Sequence, residues 1–232
     1  KLADMIHGSV VRSPHAHARI KSINVDKAIA LPGVKAVVTG ADFPMLSPSD
    51  RVPGVAPLSY YDLSHNVIAR DKVLYDGHAV AAVAATTPAI AAQAAALVEA
   101  DYEVLPHVMK ALDAMKPDAP LLHEDMFTAG VEPTPTTPSN VSKRVAFTLG
   151  DVDVGFGDAD VVVEHEFNTE TVHQGYIEPH ACVAAIAEDG MATIWCSSQG
   201  QFMVRAYTAR VCGMEVAKIK VVPSEIGGGF GG

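Results

Sequence analysis

The segment Ile226-Gly227-Gly228-Gly229-Phe230-Gly231-Gly232 is the part of the chain whose residue types most clearly suggest chemistry. Five glycines around one phenylalanine free the backbone to adopt positive φ and to approach a bound group closely. N–H groups exposed in such a loop form a nest for anionic oxygens. The competing reading is a flexible glycine end, and Phe230 counts against it, because linkers do not normally carry a large aromatic. The loop is not a Walker loop, since no Gly-Lys-Ser/Thr follows and no helix begins there. Nor does it stand as GxGxxG between a strand and a helix with a ribose-binding acid downstream. A nucleotide enzyme using this loop is the lowest-ranked function, and it would show phosphate-dependent stabilisation.

The other reactive side chains form no recognisable constellation. Cys182, Cys196 and Cys212 are too few for a disulfide framework and have no CxxC spacing. They read as small apolar packing residues in a reducing compartment, and their odd number leaves at least one unpaired. His173 and His180 flank Glu178 at a spacing that fits no recognised zinc site. His15 and His17 are expected to hydrogen-bond locally. No histidine enters a ligand list.

Alternating strand and helix signals must position these residues. Residues 5–12 and 18–25 are apolar, β-branched runs suited to strands. Asp26 caps a short helix that Pro32-Gly33 stops before a strand over 34–38. Residues 41–66, rich in Pro, Ser and Asp, read as a long surface excursion. Strands resume at 72–75 and 79–84. Thr87-Pro88 then supplies an N-cap and an N1 proline for an alanine-dense helix over 89–100, expected to pack on a sheet. Between 105 and 143, Pro117, Pro120, Pro133, Pro135 and Pro138 interrupt every candidate element, which predicts an ordered linker. Strands are expected again at 145–149, 161–167, 182–187 and 191–197. A helix over 201–212 ends at Gly213, and a last strand over 217–222 feeds the glycine loop.

Composition bounds the class. The chain has 232 residues, 49% of them apolar, a globular profile with room for one large or two modest domains. A net charge of −10 with 17 scattered basic residues argues against nucleic acid as a partner. No run of eighteen apolar residues and no signal peptide is visible, so no membrane span and a cytoplasmic location are expected.

Residues 182–232 resemble the first cofactor-contacting stretch of the xanthine oxidase and aldehyde oxidase family, the molybdenum hydroxylases. That pattern is a strand ending in Ser-Ser/Thr-Gln, a helix, a strand, then Gly-Gly-Gly-Phe-Gly-Gly. It is met here by Ser197-Ser198-Gln199, the 201–212 helix, the strand ending near Pro223, and Gly227 to Gly232. Tyr176-Ile177-Glu178-Pro179-His180 resembles the family's Glu-Pro segment. Upstream, Val11-Arg12-Ser13-Pro14-His15-Ala16-His17-Ala18-Arg19-Ile20, Pro32-Gly33-Val34, Leu74-Tyr75-Asp76-Gly77 and Val80-Ala81-Ala82-Val83 resemble its hammerhead domain.

The resemblance implies an α+β chain. It would hold an α/β hammerhead-like domain over 1–108, a proline-rich linker over 109–143, and the first part of a molybdopterin-binding α+β domain over 144–232. Gln199 matches the glutamine whose amide hydrogen-bonds an oxo ligand of molybdenum. An amide suits that role because it supplies two donors without charge. Phe230 and Gly231, with Gly229 beside them, match positions whose backbone lies against the metal's oxygen ligands. The metal is held by the pterin dithiolene, so no direct protein ligand is implied. Glu178 reads as structural. The catalytic glutamate of the family lies near the end of a much longer subunit and is expected downstream of Gly232, as is most of the pterin cradle.

The implied cofactor is molybdopterin, or its cytosine dinucleotide form, with molybdenum. Iron–sulfur and FAD centres are expected on partner domains or subunits, since no Cys pattern for a [2Fe–2S] cluster occurs here. The implied reaction is hydroxylation of an aldehyde or N-heterocycle with water as oxygen source. Alternatives are a non-catalytic assembly module, or part of a related hydroxyl-removing reductase or carbon monoxide dehydrogenase. This chain alone is expected to be inactive and to retain no molybdenum. The division into segments predicts that limited proteolysis cuts first within 41–66 or 111–142. Early cleavage within 89–100 or 202–212 would contradict it.

Overall fold

The computed structural model describes residues 2–47, 49–50 and 59–230. In chain order the elements are β1 (His7–Arg12), β2 (Ala18–Asn24), α1 (Asp26–Ile29), β3 (Val34–Thr39), α2 (Tyr60–Val67), β4 (Lys72–Val73), β5 (Ala79–Ala85), α3 (Pro88–Ala95) and β6 (Glu99–Val104). There follow α4 (Ala111–Ala114), α5 (Val152–Gly157), β7 (Cys182–Ile186), β8 (Ala192–Cys196), α6 (Gln201–Val211) and β9 (Ile219–Pro223). By contacts the chain forms two compact units, one of residues 1–105 with 174–232, the other of 106–173. This division differs from the three segments expected along the sequence.

In the first unit β5 is the centre of an antiparallel sheet ordered β1-β5-β3. Its sequence AVAAVAA is buried on both faces, because Val80 and Val83 lie three residues apart and so point to opposite sides. Val80 joins Ala18, Ala69 and Val73 in one core. Val83 joins Ala28 and Ala94 in another, under α3. Alanines let the helix approach closely: Ala91 and Ala94 are buried, Thr87 caps the helix by accepting from the Ile90 N–H, and Pro88 stands at N1.

Several expectations are corrected. The helix expected over 89–100 stops at Ala95, and residues 99–104 form β6 on the edge of a second sheet, β4-β2-β6. Their alternation of exposed charge with half-buried Ala100 and Tyr102 is a strand signal that the adjoining alanine run obscured. Arg19 faces Glu103 at 3.6 Å and Lys21 faces Asp101 at 3.8 Å across β2 and β6. These exposed pairs contribute little energy but favour this register over a slipped one. The expected excursion over 41–66 contains α2, capped by Ser59 accepting from the Asp62 N–H at 3.1 Å; its part over 51–58 lies outside the described residues. Ser59-Tyr60-Tyr61-Asp62 is a capping-box spacing. Asp26 sits inside the first turn of α1, with Val25 at the cap and no side-chain cap bond.

The second unit holds α4 and α5 and, among the described residues, no named strand. Its proline-rich part is ordered by Asn140, whose amide donates to Ala114 O at 3.1 Å and Pro120 O at 3.0 Å and accepts from the Leu122 N–H at 3.0 Å. A lone bridge joins Ala129 to Lys143. The strands expected over 145–149 and 161–167 do not form. Neither finds a partner strand among the described residues, and β propensity stabilises a strand only through cross-strand packing. The regular element found instead is α5, whose first-turn N–H groups, those of Asp153 and Val154, donate to the capping carboxylate of Asp151.

α2 also packs on α6 within the first unit. Tyr60 meets Tyr207 edge-on at 6.1 Å, and the Arg210 guanidinium lies 5.3 Å over the Tyr60 ring and pairs with Asp50.

The one fully buried imidazole is that of His78, among the described residues. Leu74 N–H donates to Nδ1 at 3.2 Å, so Nε2 carries the proton and donates to Asn66 O at 3.1 Å. Burial holds its pKa below the usual 6.5, outweighing the upward pull of the Asn66 and His65 backbone. The unfolded chain takes up a proton near 6.5 and the folded one only at lower pH. Stability from this group is therefore full above 6.5 and falls as pH drops through 6.5 toward the lowered folded value. Urea midpoints measured from about pH 7.5 to about pH 5.5 should fall less steeply in His78→Gln than in wild type. Equal slopes would overturn this assignment.

Candidate functional site

The third sheet builds the site. β7 and β8 form an antiparallel hairpin, and β8 pairs with β9 in parallel, with α6 as the crossover between them. α6 lays Ala209 on Ala192 and Ile219, with Ile194, Met214 and Val221 packed around them. It ends where expected. Gly213 has φ +65°, its N–H donates to Arg210 O at 3.3 Å, and the Met214 N–H donates to Ala209 O at 2.8 Å, the two bonds of a Schellman cap.

Parallel pairing places Cys196 beside Pro223, so the segments that follow both strands leave the sheet at the same end. Ser197-Ser198-Gln199 follows β8 and the glycine loop follows β9. A crevice at the carboxyl ends of parallel strands is the usual ligand position in such sheets. Here it is a cleft of about 540 Å³, lined by Ser198 and Gln199 on one side, Gly228 and Gly229 on another, and Tyr176 and Glu178 on a third. Ser198 Oγ accepts from the Gly200 N–H at 3.1 Å and so shapes the turn into α6.

The glycines are needed mainly for close approach. A Cβ at Gly229 would stand 2.7 Å from both Cδ and Oε1 of Gln199, so the loop backbone lies directly against that amide. A Cβ at Gly227 would meet Glu178 Cβ at 2.8 Å, and one at Gly228 would meet Tyr176 Cβ at 2.8 Å. Positive φ occurs at Gly228 (+126°) and, unexpectedly, at Phe230 (+52°), while Gly227 and Gly229 are not in that region. The Phe230 side chain is exposed, with its ring edge over Gly228. Gly231 and Gly232 lie outside the described residues.

Glu178 has a role that sequence alone did not specify. Its Oε2 accepts from the Gly227 N–H, and the Ile177 N–H donates to Gly227 O at 3.2 Å. The 176–178 strap thus clasps the start of the glycine loop. The partner of Glu178 lies 49 residues away and has no sequence signal. His180 lies beside Tyr176, with ring centroids 4.7 Å apart. His15 packs edge-on against Tyr102 at 5.1 Å. Among the described residues no three His, Cys, Asp or Glu side chains are grouped to hold a metal ion. No helix of the described residues is long and apolar enough to cross a membrane.

The profile of the aldehyde oxidase and xanthine dehydrogenase a/b hammerhead domain matches residues 1–106, and that of the molybdopterin cofactor-binding domain matches 134–232. The chain belongs to the molybdenum hydroxylase family. It is 39% identical to the carbon monoxide dehydrogenase large chain of Afipia carboxidovorans, over 100% of this chain and 28% of that relative. It is 33% identical to a probable hypoxanthine oxidase of Escherichia coli, over 99% of this chain and 26% of the relative. The crystal structure of quinoline 2-oxidoreductase from Pseudomonas putida superposes with a TM-score of 0.79 at 30% identity, covering 100% of this chain and 28% of that one. The α+β fold, with a hammerhead domain followed by the front of a molybdopterin-binding domain, is that of the family. The chain spans well under two thirds of these relatives.

The loop geometry ranks substitutions at its glycines. Gly228→Ala should lower the unfolding midpoint most, combining a positive φ with a backbone-side clash, and Gly227→Ala should follow because it meets Glu178 close to the main chain. Gly229→Ala should cost least, since the Gln199 amide is a side-chain end that can swing away. The two larger losses should be about 1–3 kcal/mol. Thermal unfolding of the three variants checks the order, and Gly229→Ala as the most damaging would overturn it.

Proposed function

We propose that this chain forms one wall of the molybdopterin site in a molybdenum-dependent hydroxylase of aldehydes or N-heterocycles. The observation that carries this reading is the meeting of the Gln199 amide with the Gly229 backbone at the carboxyl ends of β8 and β9. In the proposed organisation, 1–108 is the hammerhead-like domain, 109–143 the connecting segment, and 144–232 the first part of the cofactor domain. The profile boundaries at 106 and 134 support it.

The residues present fit a group bearing polar oxygens. The cleft sets an uncharged amide beside glycine backbone that no Cβ obstructs, and Glu178, the carboxylate that lines it among the described residues, already accepts from Gly227. Gln199, Gly229, Phe230 and Gly231 would hold the cofactor, molybdopterin or its cytosine dinucleotide form. When bound, that cofactor supplies the two-electron redox chemistry, with water as the oxygen source. The chain's own residues bind and orient. The Gln199 N–H donates to a cofactor oxygen without competing for a proton, and Glu178 keeps the loop in place. We assign no catalytic residue to this chain; the general base would come from a later segment of the large subunit.

The remaining large-subunit segment, iron–sulfur and FAD domains or subunits, and a small organic substrate are the proposed partners, in the cytoplasm. Phe147, Leu149 and Phe167, exposed by 93%, 99% and 87%, favour packing of the second unit against further protein.

In the complete enzyme, Gln199→Ala should leave the fold intact and slow anaerobic reduction by substrate. A hydrogen bond to a strongly polar oxygen contributes about 1.5–3 kcal/mol, so a loss on the order of ten- to hundredfold is expected. Molybdenum content is measured in parallel. Wild-type rates in a fully metallated Gln199→Ala enzyme would overturn the assignment.

A further inference from the structure

Cys182 opens β7, Cys196 closes β8, and the two stand directly opposite one another in the antiparallel ladder. Backbone bonds on either side decide what kind of pair they are. At the hairpin end the Ala187 N–H donates to Met191 O at 2.9 Å, making 187 and 191 a hydrogen-bonded pair. Such pairs alternate along an antiparallel ladder. Five steps back, 182 and 196 therefore form a non-hydrogen-bonded pair. The far side of β8 agrees: the Ser224 N–H donates to Cys196 O at 3.0 Å, so Cys196 turns its peptide groups toward β9 and away from β7.

Non-hydrogen-bonded pairs bring their Cα atoms to about 4.5 Å, with the side chains on one face, within the roughly 4.4–6.8 Å that a disulfide spans. Both thiols are free in this structure. Cys182 is exposed and lines the cleft, Cys196 is buried, and Ser197-Ser198-Gln199 follows Cys196 without a break. Cys212 stands apart, at the end of α6.

We propose that Cys182 and Cys196 are a redox couple, a cross-strand dithiol in the wall of the cleft that a small-molecule disulfide such as oxidised glutathione converts to a disulfide. The Cys182 thiolate attacks one sulfur of the external disulfide, whose S–S bond breaks to release one thiol and leave a mixed disulfide on Cys182. Cys196 gives its proton to solvent, attacks the Cys182 sulfur and expels the second thiol. The two protein thiols lose two electrons and two protons, and the external disulfide gains them as two thiols. Burial raises the Cys196 pKa, so the closing step quickens as pH rises. The bond ties the β7 edge to β8 immediately before the Ser197-Ser198-Gln199 segment, fixing that side of the cleft. This inference rests on strand register and not on which ligand the cleft takes.

The test is peptide mapping by mass spectrometry, with alkylation of free thiols, after the intact protein is incubated with oxidised glutathione. A peptide joining Cys182 to Cys196, lighter than its two parts by two hydrogens, should form, disappear with dithiothreitol, and form several-fold faster at about pH 8.5 than at about pH 7. Cys196→Ser should stop at the mixed disulfide on Cys182, and Cys212→Ser should behave as wild type. Wild-type protein that accumulates the mixed disulfide without the linked peptide, joins Cys212 instead, or leaves both thiols fully alkylated would overturn the proposal.

Discussion

Parallel pairing of β8 with β9 forces the two loops that follow these strands to leave the sheet side by side. Everything at the candidate site depends on that constraint. A parallel pair cannot be closed by a tight turn, so a crossover must span it, and α6 does so with Ala209 and Val211 buried. The helix ends on Gly213 because the Schellman bonds need a left-handed residue there. With α6 seated on Ala192 and Ile219, Gln199 and the glycine loop can only meet across the same crevice.

The loop itself is held by contacts from behind. Glu178 and Ile177 each bond Gly227, one by side chain and one by backbone. Gly228 presses on Tyr176 and Gly229 on Gln199. Glycine is thus used less for torsional freedom than for thinness, since only one of the three consecutive glycines has positive φ and the neighbouring phenylalanine has it too. A site of this kind presents amide and backbone groups at its surface.

The N-terminal part of the first unit serves as a scaffold of unusually small residues. Strand β5 has alanine at five of its seven positions, and α3 carries buried alanines where it meets that sheet. Close layers give high packing density without large side chains. His78, fully buried in this unit, has both ring nitrogens hydrogen-bonded, as burial of a polar group requires.

Local pattern in the sequence was enough to determine β1, β2, β3, β5, the Thr87-Pro88 helix start, the β7–β8 hairpin and α6, because each rests on alternation, capping or a terminal glycine. Family resemblance singled out Gln199, Gly229, Phe230 and Gly231, and the structure brings the first two together while Gly231 lies outside the described residues. Only tertiary structure decided the rest. Residues 99–104 became a strand because β2 offered an edge, whereas 145–149 and 161–167 found none, although all three runs carry β-type residues. The clasp of Glu178 on Gly227 joins residues far apart in sequence, the tautomer of His78 depends on which groups burial isolates from water, and the pairing of Cys182 with Cys196 depends on the register in which β7 meets β8. Short-range pattern encodes what one segment prefers, but these depend on which other segment arrives beside it.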